Sequence, residues 1–457
     1  MEKAGPKAII LIYKKLKGAG FEVYFVGGCV RDFLMEQPIK DWDLTTNATP
    51  PQIQKIFPYS FYDNRFGTVG VPFEKGKGEE DVFEKNFVEI TTYRRESGYE
   101  NLRHPGKIEW GKTIEEDLSR RDFTINAIAL GLAQEIIDPF GGREDIKNKV
   151  VQTVGNPEER FNEDALRLLR AIRFANQLKF KIEEKTWKAI VKNALHITKI
   201  SAERVRAELL KILSTDQAYE GILLLDQAGM LGMIIPELSE GKGVSQVRPG
   251  RHHKTDVFTH NILSLKHTPS PDPIIKLATL LHDVGKPRVA GKDKEGHVIF
   301  YNHEVKGAQM AREIAQRLRF SNKQKDKIVN LIRWHMFTVD EHITDSAVRR
   351  FIRRVGVENV ADMMDLRIGD RLGGGTQTAE SWRLKKFKER VASELNPPFT
   401  INDMAVDGND VMREFKIGPG PKVGELLKKL FEEVDEDLSK NTREYLLKRI
   451  HEISRKK

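Results

Sequence analysis

Apolar residues along this 457-residue chain are spaced for strands and short helices at first and almost only for helices later. MEKAGPKAIILIYKKLKGAG, at the amino terminus, has an apolar core only a few residues long, interrupted by Tyr13 and lysines, and reads as an amphipathic opening helix. Val23–Val26 is a short apolar run that reads as a buried strand, Gly27-Gly28 allow a sharp turn, and Val30–Met35 start a helix. Asp41-Trp42-Asp43 reads as strand, so alternation puts both carboxylates on one face. Thr49-Pro50-Pro51 caps and opens a helix with QIQKIF as its body. Gly67–Phe73 and Phe87–Tyr93 are further strands, separated by the polar loop GKGEEDVFEKN. From Arg94 to Lys112 periodicity is lost, which predicts a long charged loop. Ile114 and Leu118, then Phe123, Ile125, Ile128 and Ala129, predict a helix, a break at Arg120-Arg121-Asp122, and a second packed helix. IIDPFGGREDIKNKVVQTV reads as a closing strand and turn. Beyond NPEERF the pattern is almost continuous helix through Leu213, and Gly373–Gly375 mark a hinge further on.

A chain this long exceeds what one hydrophobic core serves, so several domains are expected: a mixed α/β head over 1–150, a helical neck over 151–215, a helical body over 216–375 and a helical tail over 376–457. The fold class is α+β. With 39% hydrophobic residues the chain can bury real cores. The net charge of +9 suits a phosphate-rich partner without requiring one. The single Cys29 excludes an intrachain disulfide and fits a reducing cytoplasm. The amino terminus does not read as a signal peptide, and no later stretch has the apolar length to cross a bilayer.

The chemistry begins at the first turn. Amides at the start of the helix after Gly27-Gly28 suit phosphate. Asp41 and Asp43 held close together repel unless a cation lies between them, and oxygen-only ligands suit Mg²⁺. In FVEITTYR, Glu89 joins them if its strand lies beside theirs; otherwise it is a surface residue. In ERFNEDALRLLRAIRFANQLKF, Leu166, Leu169, Ile172 and Phe174 form an apolar stripe, while Asp164, Arg167, Arg170 and Arg173 recur every three residues along another side. Such spacing can be a plain surface ion pair. It can also read a base, because Asp164 only accepts hydrogen bonds and Arg167 only donates them. Cytosine and adenine each offer an amino donor beside a ring-nitrogen acceptor, which matches that pair. Uracil and guanine present the reverse and leave buried groups unpaired.

These residues resemble the bacterial-type (class II) tRNA nucleotidyltransferases and their relatives the bacterial poly(A) polymerases, through GG-x-VRD at Gly27–Asp32, DWD at Asp41–Asp43, RRDFTINAIA at Arg120–Ala129 and EDALR with RAIRF at Glu163–Phe174. The resemblance implies a polymerase-beta-like head on a helical neck, body and tail, adding nucleotides from CTP and ATP to the 3′ end of tRNA. By it, Asp41 and Asp43 hold two Mg²⁺ ions with Glu89 nearby, Gly27, Gly28 and Arg31 face the triphosphate, Asp122 reads the ribose, and Asp164 and Arg167 read the base. Arg121, Asn126, Arg170 and Arg173, in the same motifs, count with the nucleotide-binding residues. Restricted activities of the same head are alternatives: A-only, CC-only or poly(A) addition. The uncurtailed Arg94–Lys112 segment favours a head able to add A.

A second ligand set lies in the body: His260, His282-Asp283 within HD-x-GK, His303, His335 and Asp370. It resembles the HD phosphohydrolase superfamily, which implies one or two divalent metals, with Ni²⁺, Mn²⁺ or Co²⁺ suited to imidazole. His252 and His253 sit in a Gly/Pro/Arg loop and are left outside the set, since they could equally touch RNA. Basic helices of the tail suit phosphate contacts with the tRNA acceptor arm. A working HD enzyme with a degenerate head, or a purely structural protein, would not need both ligand sets intact.

Overall fold

The computed structural model describes residues 5–63, 67–73, 86–100, 104–247, 255–340, 342–395 and 400–455. The segment carrying His252 and His253 and most of the polar loop before Phe87 lie outside the described residues. The chain divides into two units, Met1–Ser239 with Arg317–Phe320, and Glu240–Gln316 with Ser321–Lys457.

The first unit opens with α1 (Lys7–Gly18), β1 (Val23–Val26), α2 (Gly28–Leu34), β2 (Asp43–Thr46), α3 (Pro50–Ile56), β3 (Phe61–Asp63), β4 (Thr68–Pro72), β5 (Phe87–Thr92), β6 (Arg94–Glu100), β7 (His104–Trp110), α4 (Ile114–Ser119), β8 (Ala129–Leu130), β9 (Ile136–Ile137), α5 (Gly142–Asn148) and β10 (Val150–Val151). A mixed sheet of order β3-β4-β5-β2-β1-β8-β9 carries it, with β2 and β5 parallel and the other neighbours antiparallel. α1 buries Ile9, Ile12, Tyr13 and Leu16 and leaves its lysines in water, as an amphipathic helix does. Tyr13 stacks on Phe25 of β1 at 5.3 Å, and Phe25 meets the edge of Trp42 at 5.5 Å.

Four local expectations change. β2 begins at Asp43, one residue after Trp42, because the partnering strand β1 ends at Val26 and turns away at Gly27; Asp41 is exposed ahead of the strand. The Arg94–Lys112 segment is an antiparallel hairpin of β6 and β7, pairing from Arg94↔Trp110 to Glu100↔His104. Its charged sequence carries no alternating apolar face, so the ladder left no sign. Phe123–Ala129 is not a second α-helix: a 3-10 turn at Thr124–Asn126 leads into β8, which supplies the outer partner of β1. The closing segment contains α5, whose start is capped by Asp138 accepting from Gly142 and Arg143 amides at 2.8 and 2.9 Å.

The rest of the first unit is helical: α6 (Pro157–Glu163), α7 (Leu166–Leu178), α8 (Glu184–Lys192), α9 (Ala202–Leu213), α10 (Ala218–Gln227), α11 (Leu231–Ile234) and α12 (Pro236–Ser239), with β11 (Lys181–Ile182) pairing β10 in parallel. The second unit runs α13 (Val257–Lys266), α14 (Pro273–Leu281), α15 (Lys286–Val289), a small β12 (Gly291–Lys292) and β13 (Val298–Ile299) ribbon, α16 (His303–Arg317), α17 (Asn322–Trp334), α18 (Asp345–Val355), α19 (Val360–Gly373), α20 (Trp382–Glu394), α21 (Gly408–Phe415), α22 (Pro421–Glu436) and α23 (Arg443–Arg455). Gly373 is a packing residue and not a free hinge: a β-carbon there would stand 2.3 Å from Ser264 Oγ, so its absence lets α19 lie close on α13.

Candidate active site and metal cluster

The head site is built where β1 ends and β2 begins. Gly27 has φ 75, and a β-carbon on it would lie 3.1 Å from Arg121 Nη1 and 3.7 Å from Asp43 Oδ2. Gly27 therefore lets the backbone pass beside both side chains. Gly28 starts α2, and a β-carbon there would meet Arg31 Nη2 at 3.6 Å. The parallel register sets Asp43 level with Glu89 on β5, satisfying the adjacency that the sequence left conditional. Among the described residues, ligand atoms of three side chains come within 4.8 Å of one another in three places, and the set Asp41, Asp43, Glu89 is not one of them. All three nonetheless offer only oxygen, the donor type that fits a hard divalent cation.

Behind this edge the basic residues are held by acids. Fully buried Asp117 accepts from Arg120 at 2.7 Å, Arg121 at 3.2 Å and Thr45 at 3.4 Å. Buried Arg31 donates to Asn126 Oδ1 at 2.9 Å and Asp32 at 2.8 Å; the Asn126 amide donates to Asp122 at 3.3 Å, and Arg170 Nε donates to the other Asp122 oxygen at 2.7 Å. Burial alone would push the Asp122 carboxyl up, but the Arg170 and Arg167 guanidiniums and the Asn126 amide outweigh it and hold it at about 2. Arg31, Asn126, Asp122 and Arg170 thus form one chain of contacts from α2 to α7.

Asp164 lies in the joint between α6 and α7, not on the helix with Arg167 as the spacing predicts; the Arg167 amide donates to the Asp164 carbonyl at 3.0 Å, but the two side chains take other partners. Asp164 accepts from the Leu166 amide at 3.0 Å and from Arg204 of α9 at 2.7 Å. Arg167 donates to Glu163 at 2.5 Å and to the carbonyls of Arg160 and Arg120 at 3.2 and 3.1 Å. Arg173 turns to Glu208 at 2.7 Å and Gln177 at 3.0 Å, and its guanidinium lies 3.9 Å from the Phe174 ring. Sequence reasoning missed Asp117, Arg204 and Glu208. The spacing of Asp117 to Arg120 and Arg121 could have marked the first; Arg204 and Glu208 come from a distant helix and left no local signal.

In the second unit the six predicted ligands converge. Asp283 Oδ2 lies 3.3 Å from Nε2 of both His260 and His282, and its Oδ1 lies 3.2 Å from His303 and 3.7 Å from His335. Asp370 adds an oxygen 3.2 Å from His260 and 3.5 Å from His282. Two three-ligand groups, His260–His282–Asp283 and Asp283–His303–His335, therefore share one carboxylate. Nδ1 of His282, His303 and His335 each donates to the carbonyl three residues earlier at 2.7–2.8 Å, which fixes the lone pair on the inward Nε2. Burial disfavours charge on His282, but Asp283 and Asp370 outweigh it and lift its pKa to about 10; the centre of the cluster attracts positive charge. Lys286, the lysine of HD-x-GK, pairs with Asp283 and donates to Gln246 at 2.5 Å. This imidazole-rich, carboxylate-bridged set fits a pair of divalent transition metals.

Residues 23–152 match the poly A polymerase head domain, 179–242 the "probable RNA and SrmB-binding site of polymerase A", and 262–372 the HD domain. The chain is 47% identical over 202 residues to the CCA-adding enzyme of Lactobacillus delbrueckii subsp. bulgaricus, an alignment covering 44% of this chain and 48% of that enzyme, so this match spans about half of the relative's length. It is 36% identical over 332 residues to the A-adding tRNA nucleotidyltransferase of Deinococcus radiodurans, covering 70% of this chain and 75% of that protein. Its fold matches the crystal structure of the Bacillus stearothermophilus CCA-adding enzyme in complex with CTP over 98% of both chains, at 27% identity and a TM-score of 0.72. No described helix is long and apolar enough to cross a membrane. Matches to a polymerase head, an RNA-binding segment and an HD domain in this order, with a relative 75% of whose length is covered, place the chain in the tRNA nucleotidyltransferase family.

Proposed function

We propose that this chain adds C, C and A in turn to the 3′ end of tRNA, taking CTP and ATP and using no nucleic-acid template. The observation that carries the reading is the pairing of the Asp164 and Arg167 side chains with third residues and not with each other. An acceptor held by Arg204 and a donor held by Glu163 keep their orientation before a base arrives, and a cytosine or adenine edge completes both. Uracil and guanine would leave a buried donor and acceptor unmatched, which costs about 1–3 kcal/mol for each group.

Asp41, Asp43 and Glu89 are the residues that would hold Mg²⁺, which when bound activates the RNA 3′-hydroxyl and neutralises the leaving pyrophosphate. Arg121, beside Gly27 and Asp43, and Arg31 supply positive charge for the triphosphate. Asp122, ionised through Arg170, accepts from the ribose hydroxyl. The tail helices would grip the tRNA acceptor arm by salt-sensitive phosphate contacts. A cytoplasmic enzyme fits the lone buried Cys29. The shared Asp283 supports a second reaction at the HD cluster, hydrolysis of a phosphate ester, with Ni²⁺, Mn²⁺ or Co²⁺ bound there.

The test offers labelled CTP and ATP with tRNAs ending at the discriminator base, at the first C or at the second C. Addition of CC and then a single A supports the reading; A on the CC-ended tRNA only, CC only, or a long A tail overturns it. Asp41→Ala should abolish addition while leaving the melting temperature unchanged, because Asp41 is exposed. Continued turnover by that variant removes Asp41 from the catalytic set.

A further inference from the structure

Phe174 of α7 is a buried ring surrounded by guanidiniums: those of Arg173, Arg170 and Arg31 lie 3.9, 5.3 and 5.4 Å from its centroid. All three distances fall within the roughly 6 Å over which a ring face attracts a cation, and the attraction is strongest where water is excluded. Arg170 stands one helical turn before the ring on α7, whereas Arg31 comes from α2, so the ring joins two helices. A ring has two faces, so three guanidiniums cannot each have one to itself, and like charges this close repel. Asp32, Asp122 and Glu208 offset that charge by taking one guanidinium each. Phe123 meets the Phe174 ring edge to face at 5.6 Å, and the Phe123 amide donates to Asp122 at 2.9 Å.

Burial of an apolar ring does not by itself call for guanidiniums around it. The three acids hold these arginines through N–H bonds, which lie in the plane of the guanidinium, and a planar group held only at its edge can still pivot about those bonds. A ring against its face removes that freedom. In the reading of the site above, Arg31 faces the triphosphate and Arg170 holds Asp122 for the ribose, so two parts of one nucleotide depend on the same ring. We propose that Phe174 is a positioning residue for nucleotide binding: buried itself, it holds Arg31 and Arg170 by its π face in the orientation that receives triphosphate and ribose. The inference rests on the reading of those two arginines as nucleotide-binding groups. Neither is a base reader, so the effect is the same for CTP and ATP.

The test replaces Phe174 in the full chain by mono-, di- and pentafluorinated phenylalanine, which occupy nearly the same space while fluorine weakens the negative ring face stepwise. Steady-state addition of CTP and of ATP to tRNAs ending one step short of each is then measured. The expected result is a KM that climbs with fluorine number to about tenfold above the parent, equally for CTP and ATP, with kcat within about twofold, the signature of lost binding common to ground and transition states. Phe174→Leu, which keeps an apolar side chain without a ring, should match the pentafluorinated chain. A KM independent of fluorine number overturns the proposal whatever the melting temperature, because packing alone would move stability and leave KM flat. A rise for one nucleotide only overturns it as well. Arg170→Ala separates the two layers of the reasoning: a raised KM there beside a flat fluorine series leaves the reading of the site standing and refutes the role of Phe174 alone, whereas an unchanged KM in Arg170→Ala refutes both.

Discussion

Replacing Gly27 by alanine perturbs the head at one atom. The native backbone there, φ 75 and ψ −135, is open to glycine and strained for any residue with a β-carbon, at roughly 1–3 kcal/mol. The added carbon also stands 3.1 Å from Arg121 Nη1 and 3.7 Å from Asp43 Oδ2. The guanidinium can yield by a few tenths of an ångström, but it is tethered to Asp117 at 3.2 Å, so the shift passes into that buried pair or back into the strand start at Asp43. A total of about 2–3 kcal/mol corresponds to a melting temperature lower by about 4–12 °C for a unit of this size. If these groups position the triphosphate as proposed, a shift of about an ångström in them is enough to cost about a hundredfold in rate. Gly141→Ala is the control: φ is 74 and ψ 22, nothing lies within 4 Å of the added carbon, and the left-handed strain costs about 1–2 kcal/mol without touching the site. Calorimetry with CTP incorporation below both melting temperatures separates the two. Gly27→Ala should lose stability and incorporation together, and Gly141→Ala stability alone. If Gly27→Ala incorporates CTP like the control, the close approach of Gly27, Asp43 and Arg121 is not part of the site.

Asp122→Asn should forfeit stability that depends on pH. The folded carboxyl sits at about 2 against an ordinary 3.8, so its contribution, about 2 kcal/mol, is present above pH 3.8 and is lost as pH falls toward 2. The gap in melting temperature between the parent and the variant should therefore close across that window, and a constant gap refutes the assignment. Arg204→Ala releases Asp164 from its 2.7 Å tether and should raise misincorporation of UTP relative to CTP by about tenfold, read by competition between labelled triphosphates; unchanged selectivity would separate Asp164 from base choice. Because Asp283 serves both three-ligand groups, elemental analysis of chain reconstituted with Mn²⁺ should find both ions gone in Asp283→Ala and one retained in His335→Ala, with CCA addition intact in each. Equal loss in the two variants would argue against two separate positions.

How much was legible can be judged residue by residue. The amphipathic character of the opening stretch, the apolar run before Gly27, the Thr49 cap and the strands at β4 and β5 were all written locally, because each depends on neighbours within a few positions. The six residues of the HD cluster could be named from the sequence, since a histidine alone on an apolar helix is usually a packing residue but several gathered around an HD-x-GK signature are not. Their sharing of Asp283 could not, because it depends on how helices from different parts of the chain meet. The hairpin of β6 and β7 was hidden because its sequence has no alternating apolar pattern and a hydrogen-bonded backbone ladder needs none. The turn and strand at Thr124–Leu130 went against their helical spacing because β1 required an outer partner. By itself the sequence determined the elements with a buried face and the chemical types of the ligands. Only the tertiary structure decided that Asp43 stands level with Glu89 and that Asp164 answers to Arg204 and Arg167 to Glu163, since each of these is a contact between side chains whose positions along the chain carry no energy until the chain is folded.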